Sequence, residues 1–241
     1  MKKLRQIYEG KAKKLYETDE KDLYIQEFKD DATAFDATKR GTIKDKGIVN
    51  NRISAKLFKL LEENSIKTHF VKLLSDREML VKRLEIIPVE VTIRNVVAGG
   101  IAKMLGLEEG IRLKEPVLEY HYKNDKLHDP LFNEYHIKAL GLATEKELKT
   151  INSYSFKINE VLKDFFSTRG LDLIDFKLEF GRYRNEILLG DEISPDTCRL
   201  WDKTTQKKMD KDRFRRDLGD VEETYQEVLR RIESDTKNQC S

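Results

Sequence analysis

The sequence predicts an α+β fold built mainly from antiparallel strands. Short strand-like runs separated by turn residues fill residues 4–28. A second β-rich stretch covers residues 171–189: apolar and polar side chains alternate over 173–180, and a turn and a mostly apolar return strand follow, as a hairpin requires. Two amphipathic helices, predicted over residues 154–168 and 218–232, carry apolar stripes that can pack on a core.

Composition and charge narrow the class of protein. The 46 Lys and Arg residues nearly balance the 44 Asp and Glu residues, and the formal net charge is +2, so no nucleic-acid or membrane partner is expected. The two cysteines, Cys198 and Cys240, indicate a reducing compartment without structural disulfides. The N-terminal residues contain no apolar signal core, and no window approaches a membrane span. We therefore expect a soluble cytoplasmic protein.

The remaining elements are predicted from periodicity and from residues that begin or end helices. In chain order they are a long polar loop over 30–47, a helix over 50–63 capped by Asn50-Asn51, strands between 70 and 97, a short helix over 101–105, and an exposed helix surface over the basic run 207–216. Long loops inside compact domains are often functional. The region of Pro88 is the predicted domain boundary, which divides residues 1–86 from residues 87–241.

The turn after the first strand is a candidate phosphate-binding element. Gly10 lets the backbone come close to a ligand. Lys11 and Lys13, two residues apart, point the same way from an extended chain. A glycine turn with two ammonium groups on one side suits a triphosphate. Neither a Walker loop nor a G-x-G-x-x-G motif occurs, so a plain chain reversal is the alternative.

The stretch 171–201 contains a candidate metal site. A two-residue period places Asp175 and Glu179, with a lysine between them, on one face of a strand whose other face is apolar. Gly181 is expected to end this strand, Arg184-Asn185 can turn the chain back, and a return strand leads to Asp191 near the acidic face. Gathered carboxylates repel each other unless a cation lies among them, and Mg²⁺ takes one or two carboxylates plus phosphate and water oxygens. The alternative is a solvated face on which the lysine neutralises the acids.

A second anion site is predicted where a later strand ends. Arg94 lies near the end of that strand, and Gly99 and Gly100 open the short helix that follows. The first backbone N–H groups of a helix have no internal partner, so they can bind a phosphate. The alternative is that the two glycines only permit close packing.

Several motifs occur in an order and at a spacing that resembles one family. They are YEGKAK at 8–13, IIPVEVTIRN at 86–95, HDP at 128–130, IDFKLEFG at 174–181, GDEISPD at 190–196 and RLWD at 199–202. The family they resemble is phosphoribosylaminoimidazole-succinocarboxamide synthase (SAICAR synthetase), and the resemblance runs from residue 4 to about residue 232. One position differs, because the family usually has Ala-Gly-Ser where this chain has Ala98-Gly99-Gly100.

The resemblance implies an ATP-dependent carbon–nitrogen ligase of de novo purine biosynthesis. ATP would activate the carboxylate of 5-amino-1-(5-phospho-D-ribosyl)imidazole-4-carboxylate, most simply as an acyl phosphate. The amine of L-aspartate would then attack, giving SAICAR, ADP and phosphate. The implied fold has a small antiparallel β-rich N-terminal lobe, akin to the nucleotide lobes of kinases and ATP-grasp enzymes, over a larger α+β C-terminal lobe, with ATP between them. A homodimer is also implied.

The resemblance and the residue chemistry together assign residues by role. The ATP-binding residues are Gly10, Lys11, Ala12, Lys13, Lys82 and Leu84, with the adenine edge beside residues 81–84. The ligands of Mg²⁺ are Glu179 and Asp191, and the catalytic residues are Asp175, Lys177 and Arg199. The substrate-binding residues are Asp36, Arg94, Gly99, Gly100, Asp129, Lys177, Asp196 and Arg199. Asp36 is expected to help bind a substrate or to close over the site.

Two other function classes remain open on the residues alone. A small-molecule kinase would use a related nucleotide lobe, but neither an H-R-D loop nor Asp-Phe-Gly occurs, and Asp175-Phe176-Lys177 stands instead. A nucleotide- or RNA-binding module would not need the carboxylate hairpin, and no pattern of aromatic and basic residues for base stacking is present. ADP release that requires both the ribonucleotide and aspartate distinguishes the ligase from both.

Overall fold

The computed structural model describes residues 1–34 and 38–234, so Asp36 and Cys240 lie outside the described residues. Its strands are β1 (Lys3–Glu9), β2 (Lys13–Thr18), β3 (Leu23–Phe28), β4 (Asp31–Ala34), β5 (Lys39–Thr42), β6 (Phe70–Leu73), β7 (Glu78–Lys82), β8 (Glu85–Val96), β9 (Arg112–Tyr122), β10 (Leu131–Phe132), β11 (Leu171–Tyr183), β12 (Glu186–Leu189) and β13 (Cys198–Asp202). Its α-helices are α1 (Lys46–Glu63), α2 (Gly100–Leu105), α3 (Glu134–Ala139), α4 (Glu145–Ser167), α5 (Asp212–Arg215) and α6 (Val221–Glu233). Helices and antiparallel sheets are mixed, which confirms the predicted α+β class.

The first sheet has the spatial order β1, β2, β3, β7, β6, and all its neighbours are antiparallel. Its first three strands agree with the strand-like runs predicted over residues 4–28. Next along the chain, β4 and β5 form a separate hairpin in which Asp31 is opposite Thr42. The prediction of a long polar loop over 30–47 is therefore wrong, because cross-strand pairing gives this polar segment a partner that periodicity does not show.

The second sheet has the order β10, β9, β8, β11, β12, and β13 pairs with the first half of β11. One face of β11 is apolar, and Phe176, Leu178 and Phe180 are each 1% exposed. The helix α4 packs against β11 and β8, and α4 buries an apolar stripe of its own. The opposite face of the sheet is free to carry charge.

The strand β11 does not end at Gly181, as its sequence suggested, but continues to Tyr183. A Cβ atom on Gly181 would lie 2.8 Å from the Cβ of Leu84, so the glycine is needed for close approach between chain segments. The hairpin turn is made by Arg184 and Asn185, whose φ angles are 47° and 65°. The predicted turn position is confirmed, whereas the predicted strand end is wrong.

Two helices begin earlier than the sequence patterns suggested. The helix α1 starts at Lys46, and Asn50 and Asn51 are buried inside it. The Asn51 amide donates to the backbone oxygens of Ser75 and Asp76 at 3.0 and 2.9 Å, so it holds a neighbouring loop instead of capping the helix.

The helix α4 starts at Glu145 and is capped by Thr144, whose hydroxyl accepts from the Glu147 N–H while the Glu147 carboxylate accepts from the Thr144 N–H. This capping box explains the early start. The helix α6 agrees closely with its prediction. Among the described helices, none is long and apolar enough to cross a membrane.

The two sheets meet beside the end of β12. The His69 N–H donates to the backbone oxygen of Leu189 at 2.8 Å, and the Leu189 N–H donates to that of Lys67 at 3.0 Å. Chain segments from both sheets are therefore held together next to Asp191. The strand β8 begins at Glu85, close to the predicted division between residues 1–86 and 87–241, and that division stays a prediction.

Candidate active site

A large cavity lies between the first sheet and the charged face of the second. Its volume is about 1280 Å³, above the roughly 300–1,000 Å³ of pockets for one drug-sized ligand, so it has room for more than one substrate. The predicted site residues that line it are Gly10, Lys11, Ala12, Lys13, Lys82, Leu84, Arg94, Asp129, Asp175, Lys177, Glu179, Asp191, Asp196 and Arg199. Gly99 and Gly100 lie outside its lining, against the guanidinium groups of Arg199 and Arg94. Asp36 belongs to the residues that the structure does not describe.

Neighbouring antiparallel strands place charged side chains together on the cavity face. In the pairing of β8 with β11, Arg94 is opposite Asp175 and Glu90 is opposite Glu179. Because side chains alternate along a strand, Lys177 falls on the same face between the two acids of β11. The apolar opposite face fixes this register, since a slip by one residue would bury the charges in the core.

At one end of the cavity, Lys13, Lys123, Lys177, Glu179 and Asp191 form what we call the lysine–carboxylate cluster. Lys177 Nζ lies 2.6 Å from Glu179 Oε1 and 3.5 Å from Asp191 Oδ2. Lys13 donates to the Asp191 carboxylate, and Lys123 donates to the Glu179 carboxylate. The hairpin thus brings Asp191 to the acidic face, as its sequence indicated, and ammonium groups neutralise the gathered carboxylates.

Asp191 and Lys177 stay charged although most of each side chain is removed from water. Burial raises the pKa of the Asp191 carboxyl, but the ammonium groups of Lys13 and Lys177 outweigh burial and lower it well below its usual range. Desolvation lowers the pKa of Lys177, but the carboxylates of Glu179 and Asp191 outweigh it and raise that pKa well above 10.5. Fixed charges in such a site act more strongly on a ligand than the same charges in water.

The carboxylate pair suits Mg²⁺ in its donor chemistry. Glu179 is 3% exposed, and its carboxylate and that of Asp191 share Lys177 as a partner. Within residues 1–34 and 38–234, no group of three or more His, Cys, Asp and Glu side chains could hold a metal ion. Mg²⁺ usually needs only one or two carboxylates and completes its shell with substrate phosphates and water. The residues present therefore fit a metal that enters together with a nucleotide.

Elsewhere along the cavity, carboxylates and arginines alternate in the order Glu119, Arg94, Asp175, Arg199, Asp212, which we call the arginine–carboxylate chain. Its three middle members line the cavity, and the two end carboxylates lie behind them. Arg94 lies 2.8 Å from Glu119 and 2.7 Å from Asp175. Arg199 lies 2.9 Å from Asp175 and 2.9 Å from Asp212. Desolvation lowers the pKa of Arg199, but the two carboxylates outweigh it and raise that pKa. A guanidinium has five N–H donors, so it can hold its carboxylates and still donate to an anionic ligand.

The glycine pair lies beside this chain, and its two members differ. Gly99 has φ 60° and ψ −121°, a conformation open to glycine, and a Cβ there would lie 2.5 Å from an Arg199 nitrogen. A Cβ on Gly100 would lie 3.6 Å from an Arg94 nitrogen, which is an ordinary contact. The Gly99 N–H donates to the Glu109 carboxylate at 3.1 Å, so this group of the predicted phosphate cradle already has a protein acceptor.

The turn between β1 and β2 places its two lysines in different surroundings. A hydrogen bond of 2.8 Å from the Gly10 N–H to the backbone oxygen of Lys13 closes the turn. The Lys13 side chain is 14% exposed and reaches the lysine–carboxylate cluster, whereas the Lys11 side chain is 48% exposed and lies 2.9 Å from Asp125. Both lysines line the cavity, but Lys13 lies deeper.

The predicted adenine edge lies where β7 leads into β8. The Lys82 N–H donates to the backbone oxygen of His69 at 2.7 Å, and Lys82 Nζ donates to that of Thr68 at 3.0 Å. Burial lowers the pKa of His69 to about 3, so its ring is neutral near pH 7. Val81 and Leu84 add apolar surface to the same part of the cavity lining.

Asp196 lines the cavity, but protein donors already engage its carboxylate. Lys46 Nζ and Lys211 Nζ donate to it from 2.9 and 3.3 Å, and the Tyr225 hydroxyl donates from 2.8 Å. Burial raises the pKa of Asp196, but the two ammonium groups outweigh burial and lower it. Asp196 therefore joins α1 and α6 to the wall of the cavity.

The basic run 207–216 was misjudged as an exposed helix surface. Asp210 and Asp212 are 0% and 1% exposed, and Lys211 and Arg215 line the cavity. Alternating charges look the same in sequence whether they pair with each other or with distant partners, so no local signal marked this segment. Other residues of the site that sequence reasoning missed are Lys46, Glu119, Lys123 and Tyr225.

Comparisons with known proteins bear on this fold and this cavity. The SAICAR synthetase family model matches residues 6–232. The phosphoribosylaminoimidazole-succinocarboxamide synthase of Thermoanaerobacter sp. (strain X514) is 61% identical over 232 residues, which cover 96% of this chain and 99% of the relative. The crystal structure of the synthase from Ehrlichia chaffeensis has a TM-score of 0.93 at 48% sequence identity, and the match covers 95% of this chain and 98% of the Ehrlichia chain. A type-2 SAICAR synthetase in complex with ADP has a TM-score of 0.92 at 52% sequence identity, and the match covers 95% of this chain and 97% of that synthetase.

These matches extend over nearly the whole chain, and they agree with the antiparallel α+β fold described above. They also agree with the order of the six sequence motifs, from YEGKAK near the N-terminus to RLWD at 199–202. The resemblance and the enzyme class that the motifs predicted are thereby confirmed, and the chain belongs to the SAICAR synthetase family.

Proposed function

We propose that the chain is an ATP-dependent carbon–nitrogen ligase that joins L-aspartate to the carboxylate of 5-amino-1-(5-phospho-D-ribosyl)imidazole-4-carboxylate and releases SAICAR, ADP and phosphate. The observation that carries this proposal is the presence of both the lysine–carboxylate cluster and the arginine–carboxylate chain in one cavity. The cluster suits a triphosphate, and the chain suits an anionic ribonucleotide. The ADP bound by one structural relative supports a nucleotide in this cavity.

The nucleotide is assigned to the end of the cavity formed by the first sheet. The adenine ring lies beside Lys82 and Leu84, and the phosphates lie over the turn of Gly10 to Lys13. Mg²⁺, held by Glu179 and Asp191 when bound, supplies Lewis-acid stabilisation of the charge that develops on the phosphates. Lys13 and Lys177 are charged before the substrate arrives, so their ammonium groups can neutralise phosphate oxygens once these enter the site.

The ribonucleotide is assigned to the arginine–carboxylate chain. Arg94 and Arg199 hold its anionic groups, and Asp175 keeps both guanidinium groups in place from between them. Asp129, Gly99 and Gly100 border the same region, and Asp196 shapes the wall beside it. Positioning of this kind accounts for much of the rate in phosphoryl transfer, because the transition state needs little covalent help from the protein.

Lys177 stands between the two assigned sites, which gives it a role in both chemical steps. In the first step, a carboxylate oxygen of the ribonucleotide attacks the γ-phosphorus of ATP, and ADP leaves. In the second, the aspartate amine attacks the carbonyl carbon of the acyl phosphate, phosphate leaves, and the nitrogen gives a proton to solvent to leave the amide. The Lys177 ammonium stabilises the charge on the transferring phosphoryl oxygens in the first step and the oxyanion of the tetrahedral intermediate in the second.

An assay of ADP release tests the proposal. Purified protein is incubated with ATP and Mg²⁺, and the ribonucleotide and aspartate are omitted one at a time. We expect ADP release over many turnovers only when both are present, in amounts equal to the SAICAR formed. A small-molecule kinase would release ADP without aspartate, and a nucleotide-binding module would release none in any mixture.

Two further predictions accompany this assignment. The homodimer implied by the resemblance predicts a mass of about twice 28.3 kDa in light scattering. The division into a nucleotide lobe (1–86) and a substrate- and metal-binding lobe (87–241) predicts that protection from hydrogen exchange by ADP alone concentrates in the first lobe and at residues 179–191. Protection confined to the second lobe would contradict the division.

A further inference from the structure

His121 lies behind the arginine–carboxylate chain and does not line the cavity. It follows Glu119 by two residues on β9, so both side chains extend from the same face of the sheet. His121 Nε2 lies 3.4 Å from Glu119 Oε2, and His121 Nδ1 lies 3.1 Å from the backbone oxygen of Asp129. The same Glu119 oxygen accepts from Arg94 Nε at 2.8 Å. His121 thus contacts the partner of one assigned substrate residue and the backbone of another.

The two acceptors around the ring determine which form of His121 fits. A neutral imidazole has one N–H donor and one lone pair, whereas an imidazolium has two N–H donors. Both ring nitrogens of His121 face oxygens that can only accept, a carboxylate at Nε2 and a carbonyl at Nδ1. In either neutral tautomer, one lone pair would face an oxygen. The imidazolium is therefore the form that satisfies both contacts.

We propose that protonated His121 is a positioning residue for the ribonucleotide: it clamps the loop of Asp129 to the Glu119–Arg94 pair, and loss of its proton weakens ribonucleotide binding. This inference rests on the proposed function, which assigns Arg94 and Asp129 to that substrate. The loop of residues 124–129 is closed on itself, because the Asn124 N–H donates to the Asp129 carboxylate at 2.8 Å. It can therefore move as one unit. Release at Nδ1 would let the whole turn shift.

The surroundings of His121 favour its charged form near neutral pH. The hydrogen bond with Glu119 raises the pKa of His121 above 6.5, burial opposes this, and the Asp129 carbonyl adds to it. Burial raises the pKa of Glu119, but the hydrogen bond with His121 and the charge of Arg94 outweigh burial and lower it, so the carboxylate is ionised. Because the folded pKa of His121 lies above its unfolded value, the clamp is complete below about pH 6.5 and is lost as the pH rises through the raised pKa.

Other charged groups near His121 are engaged elsewhere. On β8, Glu90 is opposite His121 in the strand register, but its carboxylate lies 3.1 Å from Lys177 Nζ. On the same side, Lys123 donates to Glu179. On β10, the residue opposite His121 is the apolar Leu131. The titration of His121 is therefore set mainly by Glu119, Arg94 and the Asp129 carbonyl.

Binding of the ribonucleotide without ATP, measured by calorimetry from about pH 6 to about pH 9, tests the inference across the range in which a histidine titrates. The variant is His121→Gln, which keeps a polar side chain but does not titrate. The control is His136→Gln, since His136 is exposed on α3 and glutamine can serve the same capping-box position. The phosphate of the substrate titrates in the same way with the unaltered protein and both variants. A difference between their profiles of affinity against pH therefore reports the titration of His121.

We expect the affinity of the unaltered protein and of His136→Gln to fall about threefold to tenfold more across this range than that of His121→Gln, the effect of about one hydrogen bond. The KM for ATP should change little in all three. Superimposable profiles for His121→Gln and the unaltered protein would overturn the inference. A merely structural role would instead lower kcat and raise every KM without changing the pH profile.

Nuclear magnetic resonance of the unaltered protein provides a second test that needs no variant to fold. Linkage requires that the ribonucleotide, if it binds the protonated form better, raises the pKa of His121 by an amount that matches the change in affinity. An unchanged titration of the His121 ring on saturation would overturn the inference while leaving the proposed function intact. Absence of ribonucleotide binding at every pH would overturn both.

Discussion

The two charged regions of the cavity bury their charges in different ways. In the lysine–carboxylate cluster, Lys13 and Lys177 each have more than one carboxylate within reach, and Lys177 alone lies within 3.5 Å of Glu90, Glu179 and Asp191. In the arginine–carboxylate chain, the planar guanidinium group of Arg94 is bound by Glu119 on one side and Asp175 on the other, and the Arg94 side chain is 7% exposed. Lysines are compact point charges on flexible stems, whereas guanidinium groups bind carboxylates in fixed geometry. The first region can rearrange around an incoming nucleotide and cation, and the second is already formed.

This difference predicts which property a substitution should affect. Removing a carboxylate from the cluster leaves Lys13 and Lys177 another partner, so the fold should survive while turnover is lost. Removing an arginine from the chain leaves buried carboxylates with fewer partners, so stability should fall together with ribonucleotide binding. Four substitution experiments test or refine this contrast between the cluster and the chain, and they are described from the largest expected effect to the smallest.

Glu179→Gln and Asp191→Asn should each lower kcat by about 100-fold or more, because contact of a metal with phosphate supplies several kcal/mol. The midpoint of thermal unfolding should change little, since Lys13 also lies 3.0 Å from Glu192 and Lys177 lies 3.1 Å from Glu90. The measurement is kcat at saturating Mg²⁺, with thermal unfolding as the control. Near-normal turnover in either variant would remove these residues from the metal site.

Arg94→Ala should lower the free energy of unfolding by about 3 kcal/mol, because it breaks a buried pair by removing one partner. It should also raise the KM for the ribonucleotide more than that for ATP. The matched control is Arg112→Ala, since Arg112 forms an ion pair with Asp172 but its side chain is 67% exposed. Such a pair should contribute no more than about 1 kcal/mol. Urea unfolding curves that coincide for the two variants would contradict the contrast.

Lys13→Ala should raise the KM for ATP by about tenfold to 100-fold, since a buried charged donor contributes more than a neutral one. Lys11→Ala should raise it less than about fivefold, because an exposed charge is screened by water and salt. Ribonucleotide binding should change little in either variant. Equal effects of the two substitutions, or an effect confined to the ribonucleotide, would show that the turn serves another substrate.

Gly100→Ser should have the smallest effect. Its Cβ has room, and the hydroxyl could add one hydrogen bond of about 0.5–1.5 kcal/mol, so the ribonucleotide KM should stay the same or fall by at most about tenfold. Gly99→Ala is the contrasting variant, because φ is 60° there and the Cβ would displace Arg199. We expect strain of about 1–3 kcal/mol and a raised ribonucleotide KM. Loss of activity in Gly100→Ser would mean that the backbone or space at this position is required.

Local patterns were sufficient for the elements that carry the charged face. The alternation around Asp175, Lys177 and Glu179 predicted which side chains share a face, because the period of a strand is two. The same reasoning predicted that the hairpin returns Asp191 to this face, and Lys177 lies within 3.5 Å of it. Local patterns were weakest at helix starts, where Asn51 proved to hold a distant loop and not to cap a helix. They also failed in the 207–216 run, where the buried Asp212 forms an ion pair with Arg199.

The sequence by itself determined the α+β class, the face of β11 and the family, since these depend on periodicity and on motifs that are contiguous in the chain. Only the tertiary structure decided which distant charges meet. Lys123 reaches Glu179, Lys46 reaches Asp196, and His121 reaches the Glu119–Arg94 pair. Partners that are far apart in sequence are brought together by strand register and helix packing, and the energy of a buried charge depends on those neighbours more than on its own residue type.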